Sequence, residues 1–279
     1  MMRLVTSIMI GMAAIGVALL FILPPMPQPQ WYHDFADQVP LLGIPNFWNV
    51  ISNFPFLVIG GWGVLYLGSN KAKEGVLNAN ERRMYLVFFA AVTLTSVGSA
   101  YYHLKPNNER LVWDRLPIAI TFMALFGIII SEYLSRRAGG LLFLPLLLLG
   151  AASVIYWDLA ETWGRGDLRP YLLAQLYPAL AIPVILLLMP GNYTGAEKLY
   201  AAIAWYAAAK LYEFLDKAIY AAGGIVSGHT LKHIAAAVSC YMILNWIQSR
   251  RKITATQPEV LEIGDVTDRP DNDIVHPKS

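Results

Sequence analysis

The chain has 279 residues, of which 56% are hydrophobic and 14% are charged. Soluble domains carry about 25% charged residues, so this composition, with a mean hydropathy of +0.47, predicts an integral membrane protein. The formal net charge of +2 is too small to indicate nucleic-acid binding. The single cysteine, Cys240, excludes an intrachain disulfide. We interpret it as a helix-packing residue because it lies in an apolar segment.

Eight apolar stretches approach the roughly 20 helical residues that a membrane crossing requires. Their apolar runs are continuous rather than alternating, which favours helices and an all-α membrane protein. The stretches lie near residues 4–23, 47–67, 84–104, 115–134, 140–157, 171–189, 198–221 and 227–247.

The first stretch is followed by two prolines, Pro24 and Pro25. A cleaved signal peptide is one interpretation, but the apolar run is long for one and lacks a small-x-small cleavage site. We therefore favour an uncleaved transmembrane helix over residues 1–24. Residues 25–46 then form an extracytoplasmic connector that is rich in proline.

Some polar residues inside the apolar stretches have simple structural explanations. Asn49 and Asn53 are four residues apart and share a helix face, where hydrogen bonds to neighbouring helices are the simpler interpretation. Lys210 and Glu213 can form an ion pair at i, i+3. Together with Asp216, however, they also fit the polar relay of a transporter.

Arg250, Arg251 and Lys252 follow the last stretch, and residues 251–279 are predicted to be a disordered tail because they have few apolar side chains. Lysine and arginine are more frequent in the loops on the side of the N-terminus, which predicts that both termini are cytoplasmic. A bacterial inner membrane is the predicted location.

Histidines mark the candidate functional site. His229 and His233, four residues apart, share one face of the final helix, and imidazole is the commonest metal ligand in proteins. On the predicted topology, Ser99 and His103 at the end of the third stretch and Asp114 before the fourth reach the same depth, near the outer face. Unrelated polar residues at helix ends are the alternative, but the convergence of three stretches favours a metal site.

Three neutral imidazoles leave one position of a tetrahedral zinc ion open, as in catalytic sites, and such an ion lowers the pKa of bound water to about 7. Asp114 is then a candidate general base or orients a ligand histidine. Ser99 is a candidate donor to the water or to a developing oxyanion, with a hydrogen bond to its own helix as the alternative. Lys232, between the two histidines, is expected to be an interfacial anchor. The predicted chemistry is metal-assisted hydrolysis of an amide or ester in a lipid.

The set Ser99-x-x-x-His103, Asp114 in Trp-Asp-Arg-Leu-Pro, and His229-x-x-x-His233 resembles the alkaline ceramidase family. That family belongs to a superfamily of seven-helix membrane hydrolases that includes the progestin and adiponectin receptors. Phe47-Trp48-Asn49-x-x-Ser52-Asn53 is also similar to the opening of its first core helix. The similarity covers about residues 34–250.

The resemblance implies a seven-transmembrane-helix bundle over residues 47–250, with the first stretch as an additional N-terminal transmembrane helix. It implies zinc bound by the three histidines, catalytic roles for Asp114 and Ser99, and cleavage of a ceramide amide to a long-chain base and a fatty acid. A non-catalytic zinc-containing receptor or sensor is the main alternative, and a transporter is a weaker one.

The resemblance also implies a calcium site ahead of the first core helix. Its counterparts here are Asp34, Asp37 and Asn46. Asn46 stands where the family has a glutamate, and the upstream acidic cluster is thinner than in the family. Calcium is therefore the weaker of the two metal predictions.

Overall fold

The computed structural model describes residues 1–70 and 77–253 and shows an all-helical protein, with no strand in that part of the chain. A 3-10 turn, Gln30–His33, interrupts the connector, and a π-helical turn, Ile130–Leu134, extends the fifth helix. In chain order the helices are α1 (Met2–Ile22), α2 (Phe47–Ile51), α3 (Phe54–Gly68), α4 (Ala79–Leu104), α5 (Asn108–Ile129), α6 (Arg136–Thr162), α7 (Arg169–Leu188), α8 (Glu197–Phe214), α9 (Asp216–Gly223) and α10 (Gly228–Ser249).

Six helical segments of the described chain are long and apolar enough to cross a membrane, so this is a helical membrane protein. α2 and α3 together make one of these segments, and α5 with its π-helical turn makes another. The segments are Met2–Ile22, Phe47–Gly68, Ala79–Leu104, Asn108–Leu134, Arg136–Thr162 and Arg169–Leu188.

The last two predicted spans differ from the six. The stretch predicted over 198–221 is two helices, α8 and α9, which meet at the non-helical residue Leu215. α10 occupies the stretch predicted over 227–247 but carries His229, Lys232 and His233, which lower its hydropathy. The predicted count of seven core helices is therefore not established by length and composition.

Local sequence signals explain where the helices begin. Pro55 lies in the first turn of α3, where its missing N–H costs nothing, and the segment predicted as one helix breaks just before it. α4 begins with a capping box in which Asn78 and Glu81 satisfy each other's backbone N–H groups. α4 therefore starts five residues before the predicted stretch.

The central helices surround an internal cavity. α8 packs against α10, α10 against α3, α3 against α4, α4 against α5, and α5 against α7. In the described structure α7 and α8 pack less closely against each other than the other neighbouring helices of the ring do. α6 lies outside against α5 and α7, and α1 packs on α7. The flank of the cavity between α7 and α8 is thus loosely packed, and the Tyr200 hydroxyl donates across it to the carbonyl of Leu186 at 3.0 Å.

A buried ion pair closes the bundle at the end away from the histidines. The Arg250 guanidinium donates to both carboxylate oxygens of Glu132, at 2.8 and 2.9 Å, and both side chains are fully buried. The same guanidinium lies over the rings of Tyr193 and Trp246, at 3.9 and 4.4 Å from their centroids. The pair connects the C-terminus of α10 to the end of α5.

Candidate metal centre

The structure brings three histidines together at one end of the bundle. His103, at the end of α4, and His229 and His233, in the first turns of α10, each offer a ring nitrogen, and these atoms lie within 4.8 Å of one another. His103 Nε2 and His229 Nε2 are 3.3 Å apart. All three residues are buried, with 1–4% of their surface exposed. Among the described residues, these three histidines are the one group of acidic, histidine or cysteine side chains whose ligand atoms lie close enough together to hold a metal ion.

The geometry of the cluster fits a tetrahedral metal ion. Two nitrogen ligands at about 2.0–2.1 Å from a tetrahedral zinc ion lie about 3.3 Å from each other, which is the separation of the His103 and His229 nitrogens. Two protonated rings at that distance would instead repel. The site therefore fits a zinc ion, although the three ligands do not identify the metal.

A hydrogen bond orients the third histidine. His233 Nδ1 lies 2.8 Å from the hydroxyl of Ser52, and that hydroxyl donates in turn to the carbonyl of Asn49 at 3.3 Å. The ring therefore carries its proton on Nδ1 and leaves the Nε2 lone pair free for a metal. Such outer partners fix the tautomer of metal-binding histidines. His103 Nδ1, by contrast, has no hydrogen-bond partner in the described structure.

Two glycines allow the helices that carry the site to approach closely. A Cβ atom at Gly98 would lie 1.9 Å from the carbonyl oxygen of Trp113, so α4 and α5 touch backbone to backbone beside Asp114. A Cβ atom at Gly228 would lie 2.2 Å from the carbonyl oxygen of Tyr212. Because neither residue has a side chain, α4 can lie directly against α5, and α10 directly against α8.

Asp216 attaches the start of α10 to the connector. One of its carboxylate oxygens accepts the backbone N–H of His229 at 2.7 Å, and the other accepts the N–H of Ala36 at 3.0 Å. An acidic group at a helix N-terminus is favourable because the first N–H groups have no partners within the helix. Asp216 is therefore explained by its structural role and does not support the transporter interpretation.

The connector covers the histidines. The ring of Phe35 lies 4.7 Å from the ring of His103 and 4.3 Å from that of His229, measured between centroids. Asn46 Nδ2 donates to the carbonyl of His103 at 2.7 Å. The cluster is thus closed by an aromatic side chain on the connector face, which excludes bulk water from it.

Asp114 and Ser99 face the cavity next to the cluster. Both are buried and line the same cavity as His233. The Ser99 hydroxyl lies beside the Asp114 carboxylate, and Asp114 Oδ1 has no hydrogen-bond partner in the described structure. Ser99 makes no hydrogen bond to the backbone of its own helix there, unlike Thr95, which donates to the carbonyl of Ala91 at 3.0 Å. Both side chains are therefore available to a ligand.

The cavity has a volume of about 320 Å³, and its charged wall residues lie toward the histidine end. Further along, the wall is mostly apolar. From Asp114 to Ile129, both on its wall, α5 rises by about 22 Å. The apolar part is lined by Phe88, Val92, Leu125, Ile129, Leu186, Leu199 and Ile243.

The remaining polar residues of the bundle are accounted for by contacts. Asn49 joins segments as predicted, since its side chain donates to the carbonyl of Asp37 at 2.8 Å and accepts from the Thr230 hydroxyl at 3.1 Å. The same prediction is wrong for Asn53, whose side chain donates to the carbonyl of Asn49 at 2.8 Å within its own segment. Lys210 and Glu213 form the predicted ion pair. Lys232 is not an interfacial anchor, because its ammonium group lies 2.5 Å from Glu213 and lines the cavity.

The three residues proposed for calcium each have a protein partner. Asp34 is exposed and pairs with Lys217 at 2.9 Å. Asp37 is buried, with Oδ1 accepting the N–H of Val39 and Oδ2 without a partner in the described residues. The Asn46 amide nitrogen is engaged with His103, as described above. A calcium site here stays a prediction.

Several residues of the site carried no assigned role in the sequence. Ser52 was visible as part of a motif, but its hydrogen bond to His233 depends on the fold of two distant segments. Phe35 and Asp216 lie in the connector and at a helix break, where no spacing rule indicates contact with a histidine. Only Asp216 could have been singled out from the sequence, because a carboxylate within an apolar stretch usually has a specific role.

The fold and the site define a class: a helical membrane protein with a buried three-histidine cluster that is able to hold a metal ion. No family model matches the chain, and no curated protein matches it.

Proposed function

We propose that the protein is a zinc-dependent intramembrane hydrolase that cleaves the amide bond of ceramide-like lipids to a long-chain base and a fatty acid. The observation that carries the proposal is the position of Asp114. Its carboxylate lies at the polar end of an apolar cavity that His233 also lines, and its Oδ1 has no hydrogen-bond partner in the described structure. The resemblance to alkaline ceramidases agrees with this set of residues.

The cavity suits a lipid acyl chain. Its wall extends for about 22 Å along α5, from Asp114 at the polar end to Ile129 in the apolar part, and the loosely packed flank between α7 and α8 would admit a lipid from the bilayer. An acyl chain that enters the cavity from the bilayer exchanges one apolar environment for another, so only an apolar wall receives it without a desolvation cost. The chain would therefore be held in the apolar part, with the amide near the polar end.

His103, His229 and His233 would hold the zinc ion, which when bound supplies Lewis acidity that activates water and polarises a carbonyl. Asp114 accepts the proton of the attacking water and delivers it to the leaving nitrogen. The C–O bond forms as the C–N bond breaks, which leaves a carboxylic acid and an amine. Ser99 donates its hydroxyl hydrogen bond to the oxygen that gains negative charge. Phe35 keeps bulk water from the histidines.

Metal content and lipid turnover test the proposal together. We expect about one zinc ion per purified chain, lost in His103→Ala and retained in the matched control His33→Asn, as measured by elemental analysis. Asp114→Asn is expected to retain zinc and to lose fatty-acid release from a ceramide by about 100-fold or more, because general-base contributions are of this size.

Turnover by the double variant H103A/D114N at the wild-type rate would disprove the proposal. Stoichiometric zinc without release of a fatty acid from any N-acyl lipid would instead favour the sensor. In that case the same cavity would bind a lipid without cleaving it.

A further inference from the structure

Arg115 is a buried cation without an acidic partner. It is 5% exposed and lies on the cavity wall, one residue after Asp114. No carboxylate lies within ion-pairing distance of it in the described structure. Its Nη1 group also lacks a hydrogen-bond partner there. An uncompensated buried charge is costly, particularly within a membrane protein, and usually serves a function.

The guanidinium is held in place by aromatic rings and one amide. It lies 4.2 Å from the ring centroid of Trp157, 4.7 Å from that of Tyr171 and 5.5 Å from that of Tyr32. Its Nη2 donates to Gln28 Oε1 at 2.6 Å. These contacts stabilise the cation and fix its plane without neutralising it.

The two lysines at this end of the cavity are already paired. Lys210 and Lys232 both contact Glu213, one of the two carboxylates on the wall. The other carboxylate is Asp114, which forms no ion pair with Arg115 in the described residues. The wall thus carries three cations and two anions. The excess positive charge lies next to the proposed reaction centre.

We propose that Arg115 binds a carboxylate on the amine half of the substrate, so that the site also accepts anionic N-acyl lipids, such as N-acyl amino acids, and binds them more tightly than the neutral ceramide-like lipids of the proposed function. That the bound lipid is a substrate rests on the proposed amide hydrolysis, whereas the binding of a carboxylate by Arg115 does not depend on it. A guanidinium presents a planar fork of donors that matches a carboxylate. With the acyl chain in the apolar part of the cavity, the amine half would lie at the Arg115 end.

Binding of hydrolysis-resistant ethers tests the subsite independently of catalysis. The matched pair is hexadecyloxyacetate, which is anionic, and 2-(hexadecyloxy)ethanol, which is neutral. Equilibrium binding to the full chain in nanodiscs should favour the anionic ether by about tenfold or more, since hydrogen bonds to charged groups are of this strength. Equal affinities in the wild-type protein would overturn the inference, even if amide hydrolysis is observed.

Variants of the same pocket separate binding from structure. In Arg115→Met the preference for the anionic ether should disappear, and Arg115→Lys should restore part of it. Gln28→Ala removes the amide that holds Arg115 but keeps the charge, so it should retain the preference. If Arg115→Met weakens both ethers equally, Arg115 is a structural residue and the inference is wrong.

The carboxylate that Arg115 binds could instead belong to the released fatty acid, and palmitate tests this second possibility. If Arg115 recognises the amine half, Arg115→Met should change palmitate affinity less than that of hexadecyloxyacetate. A larger loss for palmitate would assign the subsite to the product and overturn the assignment to the substrate.

Discussion

Single residues decide whether the site can form, and Gly98 is the position where an added methyl group would make the closest contact. A methyl group there would lie 1.9 Å from the backbone oxygen of Trp113, which cannot move like a flexible side chain. α4 and α5 would have to separate, and this would displace Ser99 and His103 from Asp114. The close approach of these two helices is therefore part of the site.

We expect Gly98→Ala to lower stability by about 1–3 kcal/mol, as overpacking does, and to lower zinc content and lipid turnover. Thermal unfolding and elemental analysis measure these effects. Gly61→Ala is the matched control, because nothing lies within 4 Å of a Cβ atom there and alanine favours the helix. Equal behaviour of the two variants would show that the helices can accommodate the methyl group.

His33 provides a pH-dependent contact in the connector. Its Nδ1 accepts from the Tyr102 hydroxyl and its Nε2–H donates to Asn108 Oδ1, both at 2.8 Å. Burial lowers the pKa of this imidazole below its ordinary value, so the folded protein favours the neutral ring. The unfolded chain takes up the proton near pH 6.5.

The contribution of His33 to stability is thus complete above about pH 6.5 and is lost as the pH falls below this value. Between about pH 7.5 and pH 5.5, we expect the wild-type Tm to fall further than that of His33→Gln. Parallel Tm curves for the two proteins would contradict this expectation. The comparison of two proteins cancels the titration of the other histidines.

Whole helices are connected by buried polar contacts, and the largest is the Arg250–Glu132 pair. It joins α10 to α5 at the end opposite the histidines, where Tyr85 also donates to Glu132 at 3.1 Å. The sequence placed Arg250 after the last apolar stretch, and the structure buries it. Loss of one partner leaves the other charge buried and unpaired.

Glu132→Gln is accordingly expected to destabilise the bundle by about 3–5 kcal/mol. Denaturation of the purified protein in detergent measures the change. Arg251→Gln serves as the control, since Arg251 is exposed and an exposed charge contributes little. A Glu132→Gln variant as stable as the control would mean that the pair does not hold α5 and α10 together.

The shape of the whole molecule sets the length of lipid that fits. Ala236 lies on α10 one turn beyond His233 and faces the cavity. A tryptophan there would occupy the space of the acyl chain. On the same helix, Ile234 is 42% exposed and faces outward.

We expect Ala236→Trp to reduce hydrolysis of a sixteen-carbon N-acyl lipid by about tenfold or more relative to a six-carbon one, because overpacking of the cavity costs more than about 1 kcal/mol. Ile234→Trp should leave this ratio unchanged. Equal losses for long and short chains would show that the cavity does not hold the acyl chain.

The sequence alone predicted much of this structure. Continuous apolar runs specified the helices, because each must satisfy its backbone groups internally in a membrane. The i, i+4 spacing placed His229 and His233 on one face. The predicted topology brought His103 and Asp114 to the same depth as this pair.

Tertiary structure decided what the sequence could not. The contacts of Phe35 with two histidines, of Ser52 with His233, and of Asp216 with His229 join segments that are distant in the chain, so no local pattern specifies them. Arg115 looked like part of a motif, and only its burial among three rings without a carboxylate marks it as a candidate subsite. Spacing along a helix determines which side chains share a face, but contact between helices depends on how their backbones approach, as at Gly98.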